Sequence, residues 1–311
     1  MAAKAGDMAW PPILRRLTPQ PPGADEMPRL SVNKTYKLYI NGQFPRSESG
    51  RSYPVADAKG NFLANVSWAS RKDARDAVKA ARGAFAGWST RTAYNRSQVI
   101  YRIAEVLEAR RGQFEEEIKS QEGAAAALAR KAVDSAIDRL VWYAGWCDKL
   151  PQVIGGANPV AGPYFNHSTP EPSGVIAVVA PKGPLLGLVS VVAPVIATGN
   201  TCVAIASEPH PLTAITLGEV MATSDLPAGV VNLLTGPQHE IAPWLASHMD
   251  VNGIDLTGVH DADLARTLEQ AAAENLKRVR RPGVEDLFAC PALDRMTNFL
   301  EIKTVWHPMG L

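Results

Sequence analysis

The sequence is short of cysteine, of net charge and of long apolar runs, and each shortage excludes a class of protein. Cys147, Cys202 and Cys290 are the 3 cysteines of 311 residues. They are too few for a disulfide framework, and their spacing is no zinc pattern. A formal net charge of +1 gives no reason to expect nucleic acid or an anionic membrane as partner. The run Lys277, Arg278, Arg280, Arg281 is a local exception, read most simply as a solvated strand end and otherwise as an anion site. No window approaches the roughly 18 apolar residues that span a bilayer. The N-terminus has no apolar core of a secretory signal, so the simplest expectation is a cytoplasmic protein. His167, His210, His239 and His260 are scattered, without a carboxylate or cysteine at ligand spacing, and no metal site is expected.

What remains is an ordinary globular composition, 46% hydrophobic and 20% charged, in a chain long enough for one large domain or two smaller ones. Residues 174–258 organise it. Short β-branched runs at 175–179, 202–205, 230–234 and 253–256 alternate with helical segments at 185–197, 212–224 and 241–247. Continuous apolar runs of that length suit strands buried on both faces of a parallel sheet. The alternation predicts right-handed βαβ crossovers, hence an α/β fold with a Rossmann-like sheet and helices on both faces.

Around that core the chain divides into further segments. Residues 1–30 form a Pro/Gly-rich arm. Residues 31–150 hold a hairpin, with two short strands about the Asn41–Gly42 turn, and three long helices. The first helix is capped by Ser70 and carries Ala74, Val78, Ala81 and Phe85 on one side. The second is expected over 93–118, with Val99, Ile103, Val106, Leu107 and Phe114 buried, and the third over 124–150. Residues 151–173 are a Gly/Pro-rich loop or hairpin, 174–281 the βαβ core, and 282–311 a linker and last strand.

The words APVIATGNTCVAIASEPHPLTA, LPAGVVNLLTGP and LTG, ending at Gly258, resemble the cofactor domain of NAD(P)-dependent aldehyde dehydrogenases. LVWYAGWCDKL at 140–150 and GANPVAGPYFNHSTPEPSGV at 156–175 are similar to two further words of that family. The second of these is its oligomerisation hairpin, and NFLEIKTVWHP is similar to the family's last strand. The resemblance implies that a domain-sized middle, the catalytic domain, is absent between 281 and 298. The chain is most similar to the truncated, cysteine-less second module of family-16 type enzymes.

Aldehyde oxidation needs a thiolate nucleophile, an oxyanion donor, a base and a nicotinamide. The family's GQxC word is missing, and the three cysteines read as packing or surface residues. Lys182 stands where the family places an oxyanion-holding Asn, and Pro282 follows the LKRV strand where a Glu is expected; Glu285 is out of register. Of the family's KPSE word only Ser207 and Glu208 remain. Gly236 and Gly258 persist, but the second glycine of GxxxxG is Asp263, with Asp261 two residues earlier. Carboxylates in that first turn compete for the helix N–H groups and repel a pyrophosphate, by about 1–4 kcal/mol per close pair. Lys182, Ser207, Glu208, Gly236, Gly258 and Asp263 are thus read as vestigial positions, with no catalytic residue and no NAD(P) bound by this chain.

The reading that follows is a non-catalytic subunit, or pseudoenzyme. It would form a hetero-oligomer with a full-length aldehyde dehydrogenase that holds NAD(P), and stabilise or regulate it. An NAD(P)-dependent aldehyde dehydrogenase in its own right and a pure scaffold or binding module are the alternatives.

Overall fold

The computed structural model describes residues 32–283 and 285–310, and the fold below is that of the unit Lys34–Leu311. The N-terminal arm expected at 1–30 lies outside the described residues.

The Asn41–Gly42 turn is present. Both residues have positive φ, 53° and 72°, as a type I′ hairpin turn requires, and Ile40 and Gln43 exchange backbone hydrogen bonds of 2.9 and 3.0 Å. Its arms are shorter than the alternation suggests. Only β1 (Thr35–Tyr36) is a strand, while Tyr39 and Ile40 form isolated bridges. Tyr39 bonds elsewhere, donating to the Leu233 carbonyl at 3.0 Å and accepting from its amide at 2.7 Å. Next, β2 (Ser52–Ala56) and β3 (Phe62–Ser67) form a hairpin not expected from the sequence. The Asp57 carboxylate closes its turn by accepting from the amides of Lys59 and Asn61, both at 2.8 Å. These strands form a sheet of order β1-β3-β2.

Ser70 caps α1 (Arg71–Ser89) in a capping box. Its hydroxyl accepts from the Asp73 amide at 3.3 Å, and the Asp73 carboxylate accepts from the Ser70 amide at 2.8 Å. The helix runs past Phe85 because Trp88 is buried and donates its indole N–H to the Ile196 carbonyl at 3.0 Å.

The expected helix over 93–118 is instead two, α2 (Ala93–Ala109) and α3 (Arg111–Glu122). Arg110 leaves helical geometry at φ −107° and ψ 12°, and its guanidinium reaches Glu219 at 2.7 Å. The bend lets Glu117 accept from the Thr216 hydroxyl at 2.7 Å and Gln121 from the Leu212 amide at 2.9 Å. The expected helix over 124–150 is also divided, into α4 (Ala126–Trp146) and α5 (Leu150–Ile154). Pro151 has no amide to continue the first helix, but it is tolerated in the opening turn of the second.

β4 (Gly156–Asn158) and β5 (Tyr164–Pro172) make the hairpin. There follow β6 (Val175–Val179), α6 (Leu186–Ala197), β7 (Thr201–Ile205), α7 (Leu212–Ala222), β8 (Val231–Leu234), α8 (Gln238–Ser247), β9 (Gly253–Asp255), α9 (Ala262–Ala273) and β10 (Arg278–Arg280). These strands form one parallel sheet of order β10-β9-β6-β7-β8. Its core lies in two layers. Side chains of α2, α4, α6 and α7 pack on one face, and those of α1, α8 and α9 on the other.

The chain ends with α10 (Asp294–Thr297) and β11 (Leu300–Pro308), which pairs antiparallel with β5 along its whole length, from Leu300↔Pro172 to Pro308↔Tyr164. In this chain the last strand therefore pairs with its own hairpin, in a sheet of order β11-β5-β4. Three of the four cations in the basic run after α9 are paired with carboxylates: Arg278 meets Glu301 at 2.5 Å, Arg280 meets Glu285 at 2.6 Å and Arg281 meets Glu269 at 3.3 Å, while Lys277 donates to the Asn275 side chain. No described helix is long and apolar enough to cross a membrane.

Candidate functional site

The strand order reverses between β6 and β9, and in such sheets ligands bind in the crevice outside the carboxyl ends of those strands. A cleft of about 470 Å³ opens there, lined by Tyr53, Lys182, Ser207, Glu208, His260 and Asp261 among others. Two helices point their N-termini toward it, α8 after β8 and α9 after β9. Free N–H groups at such ends would make an anion site.

Both ends meet carboxylates of the chain itself. Glu208 accepts from the amide of Gln238, the first residue of α8, at 3.3 Å. Asp261 is the N-cap of α9, and one of its oxygens accepts from the amides of Asp263 and Leu264 at 2.9 and 3.2 Å. The sequence suggests self-capping by both carboxylates, and only Asp261 does it. Asp263 lies in the helix, points to solvent and pairs with Arg266 at 3.1 Å. As the N-cap, Asp261 keeps extended backbone, φ −83° and ψ 116°, which carries its carboxylate over the amides of the first turn, whereas Asp263 is already helical and turns outward to Arg266.

Gly258, Gly236 and Ser207 are held by packing and backbone hydrogen bonds. Gly258 donates its amide to the Val179 carbonyl at 3.0 Å, tying the end of β9 to that of β6. Gly236 has φ 131° between β8 and α8, beside Trp68 and Ile241. Ser207 is buried and donates to the Lys182 carbonyl at 3.2 Å. The Lys182 side chain is exposed on the loop after β6.

None of the cysteines lines the cleft. Cys202 is fully buried in β7, and burial pushes its thiol far up. Cys147 caps α4 at its C-terminus, and burial pushes its thiol up to about 12, with only partial relief from Arg96. Thiolate chemistry is therefore suppressed at both. Cys290 is exposed on the linker. Glu285, out of register for a base, is bound at 2.6 Å by Arg280 and 2.5 Å by Arg295. Burial alone would raise its carboxyl, but those hydrogen bonds outweigh it and hold it below the usual range. Among the described residues, no group of His, Cys, Asp or Glu could hold a metal ion.

Sequence reasoning missed two features near the site. Tyr53, from the unexpected β2–β3 hairpin, walls the cleft with a buried hydroxyl that has no hydrogen-bond partner. Asp255, inside an apolar run, forms a buried pair with Arg295. The alternation SYPVA before the Asp57 turn was the available signal for the hairpin; none marked the pair.

Comparison with known proteins agrees with this geometry. The aldehyde dehydrogenase family matches residues 45–281. The chain is 37% identical over 278 residues to aldehyde dehydrogenase family 2 member B4, mitochondrial, of Arabidopsis thaliana, covering 86% of this chain and 50% of that protein. It is 34% identical over 260 residues to retinal dehydrogenase 2 of Mus musculus, covering 81% and 49%. The fold is similar to an NAD+ complex of aldehyde dehydrogenase from Bacillus cereus, with TM-score 0.75, 27% identity and coverage of 79% of this chain and 50% of that one. HpcC from Thermus thermophilus gives TM-score 0.75 and 29% identity, with coverage of 79% and 47%. The chain spans about half the length of the curated relatives it matches. With the doubly wound sheet and the glycine-anchored crevice at its switch point, these matches establish that the chain belongs to the aldehyde dehydrogenase family.

Proposed function

We propose that this polypeptide is a non-catalytic aldehyde-dehydrogenase-like subunit. It forms a hetero-oligomer with a full-length, NAD(P)-dependent aldehyde dehydrogenase in the cytoplasm, and stabilises or regulates it. The observation that carries the reading is the Asp261 cap. Its carboxylate takes the α9 amides that a pyrophosphate would need, and Glu208 does the same at α8. A dinucleotide would have to displace both and would meet two carboxylates, a repulsion of about 1–4 kcal/mol per close pair. The residues of the crevice therefore do not fit NAD(P), which this reading assigns to the partner. The cysteine environments support the same conclusion, since two thiols are buried and the third lies outside the cleft.

Assembly is supported by the sheet β11-β5-β4, whose outer strand leaves Ile302 and Trp306 more than half exposed. Apolar side chains on a long unpaired edge suit a partner surface.

Two measurements test the reading. Purified protein with NAD+ and an aldehyde should produce no reduced-cofactor absorbance, and NAD+ should not raise its melting temperature. Co-expression with a full-length aldehyde dehydrogenase from the same source should give one complex through affinity and size-exclusion steps. Turnover by the isolated chain would favour the enzymatic alternative, whose support is the retained Ser207–Glu208 pair and cleft. A lone homomer with no affinity for such an enzyme would leave the scaffold reading.

A further inference from the structure

The crossovers β6–α6–β7–α7–β8 and β8–α8–β9–α9–β10 run in opposite directions, so their helices lie on opposite faces. On the α6 side, β9 and β10 receive no crossover helix. That strip is covered by α10 and its flanking residues. Along β9 the side chains alternate: Ile254 faces the α8–α9 layer, while Gly253 and Asp255 face α10. Phe299 lies so close over Gly253 that a Cβ there would stand 2.7 Å from its ring. At the other end of β9, Asp255 (2% exposed) meets Arg295 (5% exposed) at 3.1 Å. The second Asp255 oxygen accepts from the Thr257 amide and hydroxyl at 2.9 and 2.5 Å.

Further polar bonds extend this pair. Arg295 binds Glu285 at 2.5 Å, and Arg280 of β10 binds Glu285 at 2.6 Å and Asp294 at 2.9 Å. Arg139 of α4 donates to the carbonyls of Leu287 at 2.6 Å and Ala289 at 3.0 Å. Apart from α10, residues 285–299 have no regular secondary structure, so side chains hold them in place.

We propose that residues 285–299 are a charge-latched strap, and that the buried Asp255–Arg295 pair sets the register in which it docks and so positions β11 against β5. Met296 and Phe299 supply apolar burial, which alone tolerates sliding; the pair admits one register. Fixing register is the best-attested use of a buried ion pair, whose net contribution to stability is small. The consequence is large in a strand, because a one-residue slip would turn every side chain of β11 to the opposite face. Arg295 is thus a positioning residue for the exposed edge, and this holds whether or not the edge binds an aldehyde dehydrogenase. The strap and β11 form one unit that opens separately from the five-stranded sheet.

Native-state amide hydrogen exchange on the whole chain tests this. In mild denaturant, α10 and β11 should lose protection together and before β6, β7 and β8. Arg295→Met should accelerate exchange in the strap and β11 by about 100-fold or more, leaving β6–β8 unchanged, because it strands a buried carboxylate. Arg295→Lys should restore part of the protection. Acceleration spread evenly over all strands, or an unchanged β11, would overturn the proposal. If Arg295→Met does not fold, Glu285→Gln should accelerate the strap by about 10-fold, as loss of a charged hydrogen bond does, and no change there overturns it equally. The double variant Asp255→Leu/Arg295→Met separates register from stability. Two or more sets of β11 amide resonances are expected, and a single native set would refute the register claim.

Discussion

A Cβ on Gly258 would stand 2.1 Å from the carbonyl oxygen of Ala180, at the point where the chain leaves β9 and crosses the end of β6. That clash is with backbone, so no rotamer relieves it. Gly258→Ala should break the 3.0 Å bond from the Gly258 amide to Val179 and spread the two strand ends. A loss of about 3 kcal/mol is expected, at the upper end of overpacking costs. Urea denaturation with an unchanged slope measures it. Packing by itself is enough to require a glycine at this position.

Asp261 is a working N-cap. Asp261→Ala should cost about 1 kcal/mol, since the Asp263 and Leu264 amides lose their acceptor. Asp263→Ala removes only an exposed pair with Arg266 and should leave the urea midpoint in place. Equal effects of the two substitutions would contradict the assignment of the cap to Asp261.

Glu117 is buried between α3 and α7, with one oxygen accepting from Tyr36 at 3.2 Å and Thr216 at 2.7 Å and the other without a partner. Burial raises its carboxyl above the usual range, against the opposing pull of Thr216 and Lys34. A raised folded-state value means that its stabilising contribution is fully present below about pH 4.3, the unfolded value. It is lost as pH rises through the folded value. Glu117→Gln is neutral throughout and should raise stability at pH 8, where the wild-type carboxylate is charged and buried. The gain should vanish near pH 4. Thermal unfolding of both proteins across that range is the check, and a gain that grows toward acid would contradict it.

The parallel sheet was legible because β6, most of β7 and β8 apart from Asn232 are apolar and buried, and Ser70 signals its helix by local chemistry alone. The break at Arg110 was not legible, because the apolar stripe runs on through it, although Gly112 stands two residues beyond; the bond to Glu219, distant in sequence, holds the bend. At the crevice, motif spacing identified Gly258 and Asp261. The spacing could not rank Asp261 against Asp263, since that depends on which residue keeps extended backbone. The strap was invisible for a related reason. Asp255 looks like a flaw in an apolar strand until Arg295 is brought beside it.

The outer edge of β11 offers the most direct test of assembly. Trp306 is 57% exposed and packs edge-on against Tyr164 at 5.9 Å; Ile302, 52% exposed, lies on the same face. A large half-exposed aromatic on a nine-residue edge strand is the kind of anchor that dominates an interface. Trp306→Glu places a charge there and should weaken association with the proposed full-length partner by about 30-fold or more, the 2 kcal/mol scale of a hot spot. Lys303→Ala on the opposite face, where Lys303 pairs with Glu171 at 3.1 Å, should leave association unchanged. Because the edge is largely solvated in the isolated chain, both variants should keep the wild-type circular dichroism spectrum and a cooperative melt, with Trp306→Glu lowered slightly by loss of the Tyr164 contact, which separates lost assembly from lost fold. Co-purification of Trp306→Glu at wild-type yield would show that the partner, if bound, uses another surface.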